Sequence, residues 1–356
     1  MIQERLKALR AEMEKRGITV YVVPTADFHE SEYVGDHFKA RKFITGFTGS
    51  AGTAVITLDE AGLWTDGRYF VQAENQLKDS TVTLYRMGEE GVPTVDEFVK
   101  DRLKEGGCLG FDGRVVNGTW GGKLEKIAAE KNVSMHVTED LIDLIWEDRP
   151  ALSKQPLFIL EEKYSGKSTA DKIADLRKAM KENGADVHIL TSLYDIAWLL
   201  NIRGNDIDYV PVVLSYLVLN ETECIWFLQE EVVDDKIRAY LEENHITTKP
   251  YDAIYDYVPE IPADAVVLMN RGTVNYRIVN SLDKAIKVVD KPNPTELMKA
   301  VKNKTEVDNT RAAHVKDGVA FTKFMYWLKT NIGKIPMTEI SASDYLEARR
   351  REQDNF

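Results

Sequence analysis

The sequence predicts an α/β protein built from two tandem copies of one unit, followed by a helical segment. Three observations carry this. An amphipathic stretch, a glycine stop and a short β-branched run occur twice, as RLKALRAEMEKRGITVYVVPT at 5–25 and as KIADLRKAMKENGADVHILTS at 172–192. Aligned, the copies share Leu9/Leu176, Arg10/Arg177, Met13/Met180, Gly17/Gly184 and Val20/Val187. The likeness resumes further on, where ITGFTG at 44–49 and LLNIRG at 199–204 each precede a strand-like run, TAVIT and PVVLSYLVL. Beyond about residue 300 the pattern becomes that of long helices.

The elements follow in order. Leu6, Leu9 and Met13 recur at helical spacing, and Gly17 sits where a helix C-terminus needs a left-handed residue. Gly184 does the same in the second copy. The stretch GFTGSAG at 46–52 raises the question of a phosphate cradle. Such a loop needs a helix after its glycines, whereas here TAVIT follows and reads as strand, LDEAG as a hairpin turn, and LWTDGRYF as a returning strand bent at Asp66-Gly67. Two readings remain for the glycines: backbone packed tightly against a neighbouring strand, or a loop shaped to face a pocket. SGKST at 165–169 lacks an upstream glycine at phosphate-loop spacing and reads as the lead-in to a helix from Ser168 or Thr169.

Pro150 and Pro156 bracket a linker after the first copy, and Pro292 and Pro294 close the second. The divisions expected are 1–155, 156–303 and 304–356. The last begins with a helix through NKTEVDNTRAAHVKDGVAFTKFMYWLKTNI, then a second helix started by Thr338 or Ser341. This segment reads as the opening of a third domain, or as a tail that packs back on the second.

Composition excludes several classes. The chain has 356 residues and a net charge of -12, from 46 Lys+Arg against 58 Asp+Glu. A nucleic-acid partner needs a clustered basic face, so none is expected. No apolar run approaches bilayer length, and the start has no signal-peptide core, so no membrane association is expected either. Two cysteines, Cys108 and Cys224, suit a reducing cytoplasm.

From the residues alone no complete active site emerges. The six histidines form no ligand pair at helical spacing. His188 reads as structural in a strand, and His314 as partly exposed on a helix. HESEYVGDH at 29–37 is the densest polar cluster and reads as a solvated acidic loop without a specific ligand spacing. NDID at 205–208 reads as a turn, and both cysteines sit in apolar company. Arg68, at the bend of WTDGRYF, is an exposed-looking guanidinium suited to gripping a carboxylate or carbonyl, or else the partner of Asp66 or Glu74.

Across VVPTADFHESEY, FITGFTGSAGTAVIT, LWTDGRYFVQAENQL, LIWEDRP, LYDIAWLLNIRGNDIDYVPV and NKTEVDNTRAAHVKDGVAF, the chain resembles the long, three-domain form of Xaa-Pro aminopeptidase (aminopeptidase P). Within it AWLLNIRG reads as a strand-to-loop packing motif or as a border of the channel, and the polar cluster near His29 as lining the same mouth as Arg68. The resemblance implies two tandem creatinase N-terminal-like domains, each a mixed sheet flanked by helices, with the first helices of a pita-bread catalytic domain after residue 304. It implies a cytoplasmic hydrolase that removes the residue before a proline and is a homodimer at full length. Its two divalent metals, typically manganese, are held by ligands of the third domain, so no catalytic or metal-binding residue and no bound metal are expected in these 356 residues. One family residue carries over: Arg68 as a contact to the peptide substrate. The alternative is a non-catalytic peptide- or protein-binding module of the same fold.

Overall fold

A computed structural model describes residues 2–356. The chain divides into two compact units, Met1–Ile159 with Thr169–Glu296, and Leu160–Ser168 with Leu297–Phe356.

The first unit holds both sequence copies. The first comprises α1 (Ile2–Lys15), β1 (Val20–Pro24), α2 (Ala40–Thr45), β2 (Thr53–Thr57), β3 (Ala61–Thr65), α3 (Phe70–Gln76), β4 (Thr83–Arg86), α4 (Val95–Arg102), β5 (Cys108–Phe111), α5 (Gly118–Glu130) and β6 (Ser134–His136). Its sheet runs β4-β3-β2-β1-β5-β6, antiparallel at β1–β2 and β2–β3 and parallel elsewhere. After β7 (Phe158–Ile159) and α6 (Glu162–Ser165), the second copy comprises α7 (Thr169–Glu182), β8 (Val187–Leu190), α8 (Leu193–Leu200), β9 (Ile202–Arg203), β10 (Ser215–Leu219), β11 (Cys224–Leu228), α9 (Asp235–Glu243), β12 (Thr247–Pro250), α10 (Ile254–Tyr257), β13 (Val266–Met269), α11 (Tyr276–Ser281) and β14 (Lys287–Asp290). Its sheet, β12-β11-β10-β8-β13-β14, repeats the first strand for strand and sense for sense. The central strands β1, β10 and β11 are buried on both faces, which is why they read as continuous apolar runs rather than alternating ones. The helix stops fall where expected: Gly17 and Gly184 adopt φ +68° and +63°.

The two copies meet through one reciprocal contact. Asn117 and Asn275 pair as an antiparallel bridge. Around them the Gly118 N–H donates to Val274 O (2.8 Å) while the Tyr276 N–H donates to Val116 O (2.7 Å). The Thr119 N–H donates to Arg271 O (3.0 Å) and the Arg277 N–H to Gly113 O (2.9 Å). Each bond is the image of another under exchange of the copies, so a local two-fold axis passes through the asparagine bridge. The same asparagines cap α5 and α11, accepting from the Trp120 and Ile278 N–H groups. Side chains then cross over. Tyr276 of the second copy is buried among Val20, Val22, Trp64 and Phe111 of the first, and Phe28 and Phe38 of the first are buried among Ile189, Tyr216, Phe227 and Tyr251 of the second.

The second unit is helical, with α13 (Lys304–Asn331) packed against both α6 and α14 (Glu339–Arg351); the division between the units falls within α12 (Pro294–Ala300). Asn303 and Glu306 form a capping box on α13, and Thr338 caps α14. Trp327 and Tyr345 stack at 4.0 Å between the long helices. Among the described residues no helix is long and apolar enough to cross a membrane.

Three local expectations are corrected. WTDGRYF is not a returning strand throughout: β3 ends at Thr65, a turn follows, and α3 starts at Phe70. AWLLNIRG is the end of α8 and a two-residue strand, joined by Asn201 at φ +50°. The 29–37 stretch is not a solvated loop at its first residue, because His29 is buried against the second copy.

Candidate functional site

Within the first unit, a cleft of about 930 Å³ opens between residues 25–50 of the first copy and the linker and turn at 150–155 and 205–214. Two local devices shape it. The turn is pinned by Asp206, whose carboxylate accepts from the Gln155 N–H (3.1 Å) and the Leu214 N–H (2.8 Å). Burial pushes this carboxyl above the usual carboxylate range.

The opposite wall is the 46–52 loop, held by Arg41. Its Nε donates to Thr25 Oγ1 (2.9 Å), its Nη1 to Phe47 O (2.5 Å) and its Nη2 to Gly49 O. Gly49 allows this, since a Cβ there would lie 2.2 Å from the Phe47 ring, and a Cβ at Gly52 would lie 2.9 Å from Trp64 O. Both readings of the glycines therefore apply: the backbone packs against β3, and Thr48, Gly49 and Ser50 face the cleft. Arg41 is 3% exposed. Burial draws its guanidinium down to about 10.

Between Thr25 and the lining residues from Glu32 onward, Phe28 and His29 turn away from the cleft and are buried against the second copy. His29 Nδ1 lies 3.1 Å from Thr191 O and Nε2 lies 2.6 Å from Tyr251 Oη. A carbonyl only accepts, so Nδ1 carries the proton and the Tyr251 hydroxyl donates to Nε2. Asp27 Oδ1 fixes the loop by accepting from the His29 and Ser31 N–H groups.

Arg68 stands apart from this cleft. Its side chain is 71% exposed and forks onto Asp66, with Nε–Oδ1 and Nη2–Oδ2 both at 2.8 Å. Asp66 is thus the acid that pairs with it, while Glu74 pairs with Arg86 at 3.2 Å. The arginine holds the Asp66 carboxyl down to about 2. His188 lies buried in β8 with Nδ1 2.9 Å from Leu268 O, His314 is exposed on α13, and residues 205–208 form a turn as read. Among the described residues no group of three His, Cys, Asp or Glu side chains is arranged to hold a metal ion.

Sequence reasoning missed Arg41, the Asn117–Asn275 axis and the His29–Tyr251 contact. Only the axis left a signal, the Val-Asn dipeptide at 116–117 and again at 274–275.

Both cysteines are buried, and burial pushes the Cys224 thiol up to about 12. A colorimetric disulfide reagent is expected to label neither in the native chain and both after unfolding; fast native labelling would contradict the packing of β5 and β11.

Two mixed sheets of one topology, locked by a reciprocal turn, define a tandem creatinase-like α/β body. The chain belongs to the creatinase/prolidase N-terminal domain family, whose models match residues 5–145 and 148–306. It is similar to the probable Xaa-Pro aminopeptidase P of Sordaria macrospora, at 38% identity over 99% of this chain and 60% of that protein. It is 39% identical to that of Laccaria bicolor, over 99% of this chain and 56% of that one. The solved X-prolyl aminopeptidase of Caenorhabditis elegans, described as a cytosolic enzyme with a di-nuclear active site, matches with a TM-score of 0.92 at 31% identity, over 100% of this chain and 60% of that one. The chain thus spans about 60% of the length of these relatives.

Proposed function

We propose that the chain is the N-terminal, substrate-gating and assembly part of a cytoplasmic metallo-aminopeptidase that removes the N-terminal residue from peptides with proline second. The observation that carries this reading is the match along its whole length to X-prolyl aminopeptidases, in sequence and in fold. The domains are 1–155, 156–303 and 304–356, the last being the first helices of a catalytic domain. That domain supplies the two divalent metals, manganese or another, and the contacts of a homodimer. Among the described residues no group of His, Cys, Asp or Glu side chains fits such a metal pair. The role of these residues is to bind and orient the peptide.

Arg68 is the substrate contact. Its exposed pair with Asp66 is worth little and is readily exchanged for a peptide carbonyl or carboxylate. With manganese present, the 356 residues alone are expected to leave an Xaa-Pro peptide intact, and a polypeptide extended to the length of its relatives to cleave it. In the extended protein Arg68→Ala is expected to lower kcat/KM by about tenfold or more, the loss of one hydrogen bond to a charged group. Turnover by the 356 residues, or an unchanged kcat/KM, overturns the corresponding part of the reading.

A further inference from the structure

The cleft described above has a feature that the 46–52 loop does not account for. A guanidinium carries five N–H donors, and Arg41 uses three of them on a hydroxyl and two carbonyls. Among the described residues none of its partners is a carboxylate: its bonds end on neutral oxygens, and its ring contact is with Phe47 at 4.7 Å. Neutral donors would hold the loop equally well. A buried positive charge without a counter-ion is costly, and its retention calls for an anion from outside the chain.

We infer that this cleft is a peptide-docking groove that receives a free peptide carboxylate on Arg41. Its volume, about 930 Å³, suits several residues of extended peptide. Two aromatic rings stand at its rim, Tyr33 at 57% exposure and Tyr209 fully exposed. Tyr209 sits at φ +65°, a left-handed conformation that a bulky residue rarely adopts. No burial of the ring repays that strain. The turn holds it through Asp206 and the Ile207–Val210 bridge, which leaves an apolar face free at the rim.

Charge selects the class of ligand. Lys39, Arg41 and Lys42 share the lining with Glu32, Asp36, Asp206 and Asp208, and Lys39 is paired with Asp36. Against this slightly acidic surround a dianion such as phosphate is repelled. A ligand with one carboxylate and a neutral or basic body is accepted. The choice of a peptide as carrier of that carboxylate rests on the proposed aminopeptidase reading. The groove itself rests on Arg41 and the rim.

The test is a binding measurement on the 356-residue chain, read by fluorescence anisotropy and independent of hydrolysis. The probe is a dye-labelled Xaa-Pro hexapeptide with a free C-terminus, compared with its C-terminal amide. The free acid is expected to bind about tenfold more tightly or better, to weaken by a similar factor in Arg41→Gln, and to weaken with added salt. Because Arg41 also holds a loop, Tyr209→Ala is the second arm. It is expected to weaken binding several-fold while leaving the unfolding midpoint unchanged or raised. Equal binding of acid and amide, competition by inorganic phosphate as strong as by the unlabelled acid, or binding indifferent to Tyr209→Ala overturns the inference. Absence of turnover in the extended protein bears on the aminopeptidase reading and leaves this result untouched.

Discussion

Gly121→Ala is expected to destabilise the first unit by about 3 kcal/mol, the overpacking of a core contact. The residue lies within α5, where alanine would ordinarily stabilise by about 1 kcal/mol through helix propensity. Contact overrides propensity here. A Cβ at Gly121 would fall 2.1 Å from Tyr276 Cδ2, 2.4 Å from its Cγ and 2.8 Å from its Cβ. These are the root of the ring rather than a flexible end, so the ring has no rotation that clears them. The Tyr276 backbone has no freedom either, since its N–H is bonded to Val116 O on the two-fold axis. The strain therefore falls on the contact between the two copies. Gly122→Ala is the control, because nothing lies within 4 Å of a Cβ there; it is expected to be neutral or stabilising by up to about 1 kcal/mol. Urea unfolding of the two variants measures the difference. Equal midpoints would mean that the copies are not held together through Tyr276.

What the sequence makes legible follows from the range over which each feature is determined. Gly17 and Gly184 are local signals, because a left-handed C-terminal residue is a property of one position, and both appear where the pattern places them. The helix from Lys304 is legible for the same reason: Asn303 and Glu306 cap it within four residues. The start of α3 is not, since Tyr69 provides no side-chain cap and Phe70 continues an apolar run that reads equally as strand. AWLL fails similarly, being too short and too apolar to choose between periods. Arg41 is a harder case. On a helix flanked by Lys39 and Lys42 it reads as one more surface cation, and only the chain returning at Phe47 and Gly49 buries it. The reciprocal turn is harder still. Its signature is two residues, Val-Asn, and its meaning lies in a contact between segments more than a hundred residues apart. Resemblance reached the family because it samples many positions at once; it pointed to Arg68 and to the polar cluster near His29, whose residues 32–37 line the cleft, but not to the buried arginine.

Acidification is expected to weaken the hold of the second copy on the first through His29. Burial lowers this imidazole from 6.5 to about 4, against the opposing pull of Asp27 and of the Thr191 carbonyl. Its neutral form is fully bonded: Nδ1–H meets Thr191 O and Nε2 accepts from Tyr251. A second proton on Nε2 would face a hydroxyl that is already donating, inside a cage of Tyr216 and Tyr251 rings. Because the folded value lies below the unfolded one, the unfolded chain binds more protons in the window between them. The contribution is complete above about pH 6.5 and is lost as the pH falls towards 4. At about 1.4 kcal/mol per unit, the loss across the window is about 3 kcal/mol. His37 and His188 are lowered too, and Asp112 and Asp206 are raised, so the total slope is not His29's alone. His29→Gln isolates it, keeping one donor and one acceptor but no titration. The variant is expected to be less stable at neutral pH and to lose about 3 kcal/mol less than the parent between about pH 7 and pH 4 in urea unfolding. Parallel slopes in the two proteins would place the acid sensitivity elsewhere. Converging slopes locate it where Phe28 and His29 enter the second copy, the point at which one fold has been made to depend on the other.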